Sequence, residues 1–177
     1  MPVDSRYYFL SSLPMLRFGD KAPLSWEEFM QTAQSCVGAS DMKLLSHIEQ
    51  GDYSGCHFLK EWKRFCDKTT SAVNARRRVA LGKDDVFSNE EDYEISKFGN
   101  AVMSAKNPLD AELLIMKFRF DYLEKTTAFK AFNQDVVLGY ALQLRILIRK
   151  DLFDVDLGNA QYQKLFDKVR EEINVEK

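Results

Sequence analysis

The sequence predicts an all-α fold, a multi-helix bundle of packed antiparallel helices. Three observations support this prediction. Only four prolines and eight glycines interrupt the 177 residues, which favours long helices over many short strands. Residues that start and stop helices recur along the chain. In addition, several segments place apolar residues at helical spacing on one or two faces.

The first two helix starts are marked by capping residues. Ser25 and Glu28 have the spacing of a capping box, in which each side chain accepts a hydrogen bond from the backbone of the other residue. We expect this helix to stop at Gly38. A second, short helix is expected to be capped by Ser40 and closed by Gly51.

The remaining helices follow the same rules. A long helix is predicted from about residue 56 to 81 and ends at Gly82. Another capping box spans residues 88–91. An Asn-Pro pair at 107–108 supplies a cap and a proline at the first helical position. A last amphipathic helix is predicted over 159–173.

The helix after residue 107 has apolar residues on two faces. One stripe comprises Leu109, Leu113, Met116, Phe120 and Leu123, and the other comprises Ala111, Ile115, Phe118 and Tyr122. A helix with two apolar faces must pack between neighbours.

The N-terminal stretch and the domain organisation are less strongly specified. Residues 5–16 are compatible with a strand and with a buried helical turn ended by Pro14, and their pattern does not separate the two. We interpret residues 1–177 as a single helical domain. Two of its helices are apolar, carry arginines near their C-terminal ends and precede acidic residues, so two related lobes, 1–86 and 87–177, are an alternative description.

Composition excludes several classes of protein. The net charge of −2 gives no global field that would attract nucleic acid or an anionic membrane. No long apolar run is free of charges, so we expect no direct insertion into a membrane. The three cysteines form no CxxC pair and no signal-like segment precedes them, which favours reduced thiols in a cytoplasmic protein.

No catalytic, metal or cofactor signature is present in the sequence. The clustered soft ligands His47, Cys56, His57 and Cys66 match no common zinc spacing. Neither a GxxxxGK nor a GxGxxG loop occurs, so no nucleotide cofactor is implied, and no spacing selects a nucleophile or an acid–base pair. We therefore expect no enzyme activity and no cofactor.

The helix predicted over 135–150 carries two arginines beside leucines. Arg145 and Arg149 lie one turn apart near the edge of its apolar surface, so each needs a carboxylate, a carbonyl or water within reach. If the preceding helix packs antiparallel, Glu112 in its narrow polar stripe is the first candidate partner, and Glu112→Ala should lower the melting temperature. The alternative is that both arginines lay their methylene groups on leucines and keep their charges in water.

A basic segment spans residues 60–83. It holds eight basic residues against two acidic ones, whereas 84–94 holds six acidic residues and no basic one. The basic end suits the dipole of its own helix. The segment can also bind an acidic protein or RNA, but the adjacent acids would repel phosphates and no aromatic residues are interleaved for base stacking. Nucleic acid is therefore disfavoured, and a protein partner or internal neutralisation is preferred.

Several stretches of this sequence resemble a small uncharacterised bacterial family encoded beside components of V-type ATPases. That family is in turn similar to the C/d subunit of these rotary enzymes. The stretches that carry the resemblance are YYFL (7–10) with LPML (13–16), SWEEF (25–29), Trp62 with ARRR (75–78) and LGK (81–83), and GYAL (139–142) with Leu144, Arg145 and Arg149.

The resemblance implies a non-catalytic coupling protein of the ATPase that links the membrane rotor ring to the central shaft on the cytoplasmic face of the inner membrane. The C/d subunit has three related helical lobes, whereas this shorter chain has room for two. The resemblance makes Arg76, Arg77, Arg78 and Lys83 candidates for contacts with partner proteins. Glu112, Arg145 and Arg149 are instead candidates for structural ion pairs. The alternative from the residues alone is a free-standing helical module that binds a protein or RNA through segment 60–83.

Overall fold

The computed structural model describes residues 3–83 and 93–153, together with the single positions 166 and 170. Over this part of the chain all regular structure is helical and no strand occurs, which confirms the all-α prediction. The helices are α1 (Val3–Ser12), α2 (Trp26–Cys36), α3 (Ala39–Gln50), α4 (His57–Ala80), α5 (Tyr93–Met103), α6 (Pro108–Thr127) and α7 (Gln134–Asp151).

Two predicted caps are confirmed. At the start of α2, the Glu28 amide donates to Ser25 Oγ at 3.2 Å and the Ser25 amide donates to Glu28 Oε2 at 2.7 Å. At the start of α6, the Asp110 amide donates to Asn107 Oδ1 at 2.7 Å, and Pro108 occupies the first helical position. These local bonds satisfy amides that the first turn of a helix leaves without intrahelical partners.

The boundary between α2 and α3 differs from the prediction. Helix α2 ends at Cys36 with Val37 as its C-cap, and Gly38 caps the start of α3 instead of ending α2. Ser40 consequently lies inside the first turn of α3, and its predicted role as the cap is wrong. The reason is that only two residues separate the helices, so the extended residue Gly38 begins the second one. The end of α3 at Gly51, with φ of 75°, is as predicted.

The long helix α4 also agrees with the prediction, since it begins after Cys56 and ends before Gly82, which has a φ of 71°. The capping box over 88–91 lies outside the described residues. So does the helix predicted over 159–173, apart from positions 166 and 170, which are helical.

The N-terminal stretch is helical. Helix α1 ends at Ser12, two residues before Pro14, as expected because proline disfavours helical dihedrals in the residue before it. Phe9 is fully buried and its ring centroid lies 5.7 Å from that of Phe29 on α2. Tertiary packing thus decides the choice that the sequence pattern left open.

The main hydrophobic core is built around α7. This helix packs on α1, α2, α3 and α6, and three of its leucines, Leu138, Leu144 and Leu147, are fully buried. Burying each leucine side chain contributes on the order of 1.5–3 kcal/mol. Since this core joins residues before 87 with residues after it, the two ranges considered as lobes share one core.

A smaller core lies where α4, α5 and α6 meet. It contains Val73, Phe98 and Val102, and the ring of Phe98 stacks on that of Phe118 at 4.1 Å between centroids. The opposite face of α6 buries Leu123 in the main core. Helix α6 is therefore wedged between two cores, which confirms the prediction from its two apolar stripes.

Polar residues of α7 hold the connector between α1 and α2. The Tyr140 hydroxyl donates to the Pro14 carbonyl at 2.8 Å, and Lys150 Nζ donates to the carbonyl of Phe18 at 2.9 Å. Asp151 Oδ2 accepts from the Ala22 amide at 2.7 Å. These bonds fix an otherwise irregular segment across the bundle.

Candidate functional site

The arginines of the last turns of α4 have different environments. Arg76 faces α5, where its Nε donates to Asn100 Oδ1 at 2.9 Å and its Nη2 donates to Ser96 Oγ at 2.8 Å. A Cβ built on Gly99 would lie 2.7 Å from Arg76 Cδ, so the glycine gives this arginine its space. Arg76 therefore joins α4 to α5, which is a structural contact inside the chain.

Three other basic residues predicted to meet a partner are on the surface. Arg77, Arg78 and Lys83 are all exposed. The backbone of this end is ordered by hydrogen bonds from the amides of Lys83 and Leu81 to the Arg78 carbonyl. The end of α4 thus presents positive charge on a backbone held in place by Arg76.

Arg77 also lines a polar cleft between α4 and α6. The cleft has a volume of about 200 Å³ and is lined by Thr69, Thr70, Val73, Asn74, Arg77, Glu112, Ile115 and Arg119. We call it the α4–α6 cleft. On its α6 side, Arg119 Nη2 donates to Thr70 Oγ1 at 3.1 Å. The Nε of Arg119 is buried and has no hydrogen-bond partner among the described residues.

The structure brings together Glu112 and Arg149. Arg149 Nη2 donates to Glu112 Oε1 at 3.1 Å, and the side chains are 65% and 33% exposed, respectively. An ion pair with this exposure contributes about 0–1 kcal/mol because water screens it.

Arg145 does not form the expected ion pair with Glu112. It donates to the carbonyl of Ile48 near the end of α3, and its guanidinium lies 5.4 Å from the centre of the Trp26 ring. The last carbonyls of a helix carry partial negative charge, so the Ile48 carbonyl attracts a cation in addition to the hydrogen bond that it accepts from the Gly51 amide. Within the described residues Arg145 therefore joins α7 to α3 through a carbonyl, without a carboxylate partner.

Sequence reasoning missed a buried ionic cluster at the other end of α7. Asp41, at the start of α3, is only 1% exposed and accepts from Arg6 Nε at 2.7 Å and Arg6 Nη2 at 3.0 Å. Gln134 Nε2 also donates to it, at 2.6 Å. A signal was present in the sequence, since Asp41 precedes Leu44, Leu45 and Ile48 by the spacing that places all four on one helix face.

Opposing effects act on the pKa of Asp41. Burial by itself raises the pKa of this carboxyl group. Hydrogen bonds from Arg6 and Gln134, together with the charge of Arg6, outweigh burial and hold the pKa below its ordinary value. The carboxylate is therefore charged in the folded protein at neutral pH.

The histidines and cysteines do not assemble into a metal centre in the described part of the chain. No group of three or more His, Cys, Asp or Glu residues has a suitable geometry there. All three cysteines are free thiols. Burial raises the pKa of Cys66 to about 11, with a smaller opposite effect from the charge of Arg119, so this thiol is protonated at neutral pH.

An aromatic patch is exposed beside the N-terminus of α7. Tyr7 and Tyr8 on α1 are 46% and 69% exposed, and the ring of Tyr7 lies 4.7 Å from that of Phe132. Phe132 has a φ of 42°, an uncommon conformation for a residue with a side chain. Phe129, in the same connector, is 98% exposed.

Comparisons with known proteins give one result. Residues 88–173 match the model of a family described as a protein of unknown function (DUF2764). The matched range contains α5, α6 and α7, whereas the arginines at the end of α4 precede it. No curated protein and no solved structure matches the chain. Among the described helices, none combines the length and the apolar character needed to cross a bilayer.

Proposed function

We propose that this protein is a non-catalytic coupling component of a bacterial V-type ATPase, which links the membrane rotor ring to the central shaft. The observation that carries the proposal is the end of α4, where Arg76 is fixed against α5 while Arg77, Arg78 and Lys83 face solvent. A fixed backbone that presents several cations is suited to acidic side chains or helix-end carbonyls of a partner.

The packing of the long helices supports a mechanical role. Rings from α4 and α6 stack closely, as in the pair Phe65 and Tyr122, whose centroids are 3.7 Å apart. Helix α6 has a core on each side, and close-packed interiors resist compression and transmit strain. Transmission of torque between ring and shaft requires this stiffness. The identity of the partners comes from a resemblance to a small bacterial family that is encoded beside V-type ATPase components and is similar to their C/d subunit. The stretches include Trp62 with residues 75–78 and 81–83, and residues 139–142 with Leu144, Arg145 and Arg149.

The proposal places the protein in the cytoplasm, peripheral on the cytoplasmic face of the inner membrane, with the rotor ring and shaft as partners. It is tested by purifying the tagged protein from membranes of its own cell and identifying the associated proteins by mass spectrometry. We expect ring or shaft proteins of a V-type ATPase to co-purify. Their absence would overturn the proposal.

A matched pair of variants locates the contact. Arg78→Glu combined with Lys83→Glu reverses two charges at the end of α4 and should reduce recovery of the partners at least tenfold. Arg17→Glu combined with Lys43→Glu makes the same change in charge at exposed positions elsewhere and should leave recovery unchanged. Equal recovery with both variants would exclude the end of α4 as the contact.

A second candidate is a free-standing module that binds a protein or RNA through segment 60–83. It is favoured by the exposure of Lys60, Lys63, Arg64 and Lys68 along the first half of α4. Binding to RNA that weakens steeply as salt rises would support this candidate, because release of counterions makes such binding salt-dependent. Absence of binding at low salt would exclude RNA as the ligand.

A further inference from the structure

The α4–α6 cleft combines two arginines with Thr70 and Asn74, whose side chains donate no hydrogen bond among the described residues. We propose that this cleft is a binding site for a small oxyanion, of phosphate or carboxylate type, held between Arg77 and Arg119. The inference does not rest on the proposed coupling function, since it concerns a property of the isolated chain.

Arg119 is the first reason for the proposal. Its Nη2 is fixed by the hydroxyl of Thr70 at 3.1 Å, yet its Nε is buried and lacks an acceptor in the described part of the protein. Leaving a buried N–H of a charged group unbonded is energetically costly. Buried donors in native proteins almost always have a partner, so an acceptor next to Arg119, which lines the cleft, is expected.

The neighbouring side chains supply further donors. The Thr70 hydroxyl accepts a hydrogen bond from Arg119, so its own proton is available to a second acceptor. Asn74 and Arg77 line the same cleft, and no hydrogen bond or ion pair engages their side chains within the described residues. Several donors therefore surround one space, and an oxyanion has enough lone pairs to accept from all of them.

The charge balance of the cleft favours an anion. Among the described residues that line the cleft, Glu112 is the one acidic residue, and it would repel such a ligand. Its carboxylate is, however, paired with Arg149 of α7 at 3.1 Å. The positive charges of Arg77 and Arg119 then remain without a carboxylate partner among the described residues.

The size of the cleft limits the ligand. Its volume of about 200 Å³ is below the roughly 300–1,000 Å³ typical of pockets for drug-sized molecules. A phosphate ion or a carboxylate group matches this space and the forked geometry of a guanidinium. A nucleotide is too large, which agrees with the absence of a phosphate-binding loop from the sequence.

The test compares thermal unfolding in sodium phosphate with unfolding in sodium chloride at equal ionic strength. Phosphate stabilises many proteins non-specifically by exclusion from their surface, so the comparison must be made between variants. Arg77→Gln removes one of the two arginines proposed to bind the oxyanion. Because Arg77 is exposed, this variant should fold normally. Arg78→Gln is the matched control, because Arg78 is an exposed neighbour that does not line the cleft.

As the phosphate concentration increases, we expect the melting temperatures of the wild-type protein and of Arg78→Gln to rise and then level off. Arg77→Gln should need at least a tenfold higher phosphate concentration for the same rise, and Arg119→Gln should behave in the same way. In NMR spectra, the Nε–H signal of Arg119 should shift as phosphate binds to the wild-type protein. Equal responses of the wild-type protein, Arg77→Gln and Arg78→Gln would show that the cleft holds only water, and would overturn the proposal.

A second titration with sodium acetate separates the two sources of the oxyanion. A response to phosphate alone identifies a free phosphate-type ion as the ligand. If acetate raises the melting temperature at least as much as phosphate does, and Arg77→Gln loses this rise, the ligand is a carboxylate. An acidic side chain of another protein would supply such a group. A response to neither anion would also overturn the proposal.

Discussion

Two ionic contacts lie at opposite ends of α7 and differ in how far their arginine and carboxylate are buried; the Arg6 side chain of the first is 29% exposed. At its N-terminal end, Gln134 and Arg6 surround the carboxylate of Asp41, which is 1% exposed. Toward its C-terminal end, Arg149 meets Glu112 with side chains that are 65% and 33% exposed. The buried cluster links α1, α3 and α7, whereas the surface pair links only α6 and α7.

The difference shows that the position of a charge along a helix does not reveal its energetic importance. Removal of one partner from a buried pair leaves an uncompensated charge and costs on the order of 3–5 kcal/mol. A surface pair is screened by water and contributes about 0–1 kcal/mol. Arg145 is intermediate, since it is half-buried and donates to a carbonyl while lying over the Trp26 ring.

The largest expected effect is that of Arg6→Met. This change leaves the Asp41 carboxylate buried with Gln134 as its main remaining donor, and should lower the free energy of unfolding by about 3 kcal/mol. Urea denaturation measures the loss. Arg17→Met, at an exposed position, is the control and should change stability by less than about 0.5 kcal/mol. Equal stability of the two variants would show that the buried cluster is not stabilising.

The pH dependence of unfolding should show the same cluster. The pKa of Asp41 is lowered in the folded protein, so its contribution to stability is present above the pKa of an unfolded aspartate, about 3.9. That contribution should be lost as the pH falls through the lower pKa of the folded state. We therefore expect wild-type stability to fall more steeply below about pH 4 than that of Asp41→Asn, which cannot titrate at this position. Parallel curves in urea denaturation at each pH would contradict this assignment.

Arg145→Met should have a smaller effect, of about 1–2 kcal/mol, because it removes a charged hydrogen bond and a cation–π contact but keeps the methylene packing. The Ile48 carbonyl still accepts from the Gly51 amide at 3.1 Å, which limits the loss. Thermal unfolding measures the effect, with exposed Arg78→Met as the control. A loss of stability as large as that of Arg6→Met would mean that the contacts of Arg145 are as important as those of the buried Asp41 cluster.

Glu112→Gln should have the smallest effect, below about 1 kcal/mol, and high salt should reduce it further because the pair is exposed. The sequence predicts that Glu112→Ala lowers the melting temperature, and the exposure of the pair limits that change to a few degrees. Calorimetry at low and high salt measures both variants. A loss above about 3 kcal/mol would remove the contrast between the two ends of α7.

Local features of the fold were predictable because they depend on neighbouring residues. The capping box of Ser25 and Glu28 and the cap at Asn107 follow from short side chains that reach the nearest free amides. The two stripes of α6 follow from helical spacing alone. Gly38 was assigned to the wrong helix because its role depends on the distance between α2 and α3, which no local pattern specifies.

The candidate site was less predictable, since it depends on contacts between distant segments. The arginines of 76–78 form one run in the sequence, but α5 engages the first of them and leaves the next two exposed. The α4–α6 cleft joins Thr70 with Arg119, which are 49 residues apart. The sequence by itself determined the helices, their caps and their apolar faces, because these arise from interactions within a few turns. Only the tertiary structure decided which charges are buried, because burial depends on the helices that pack above each side chain.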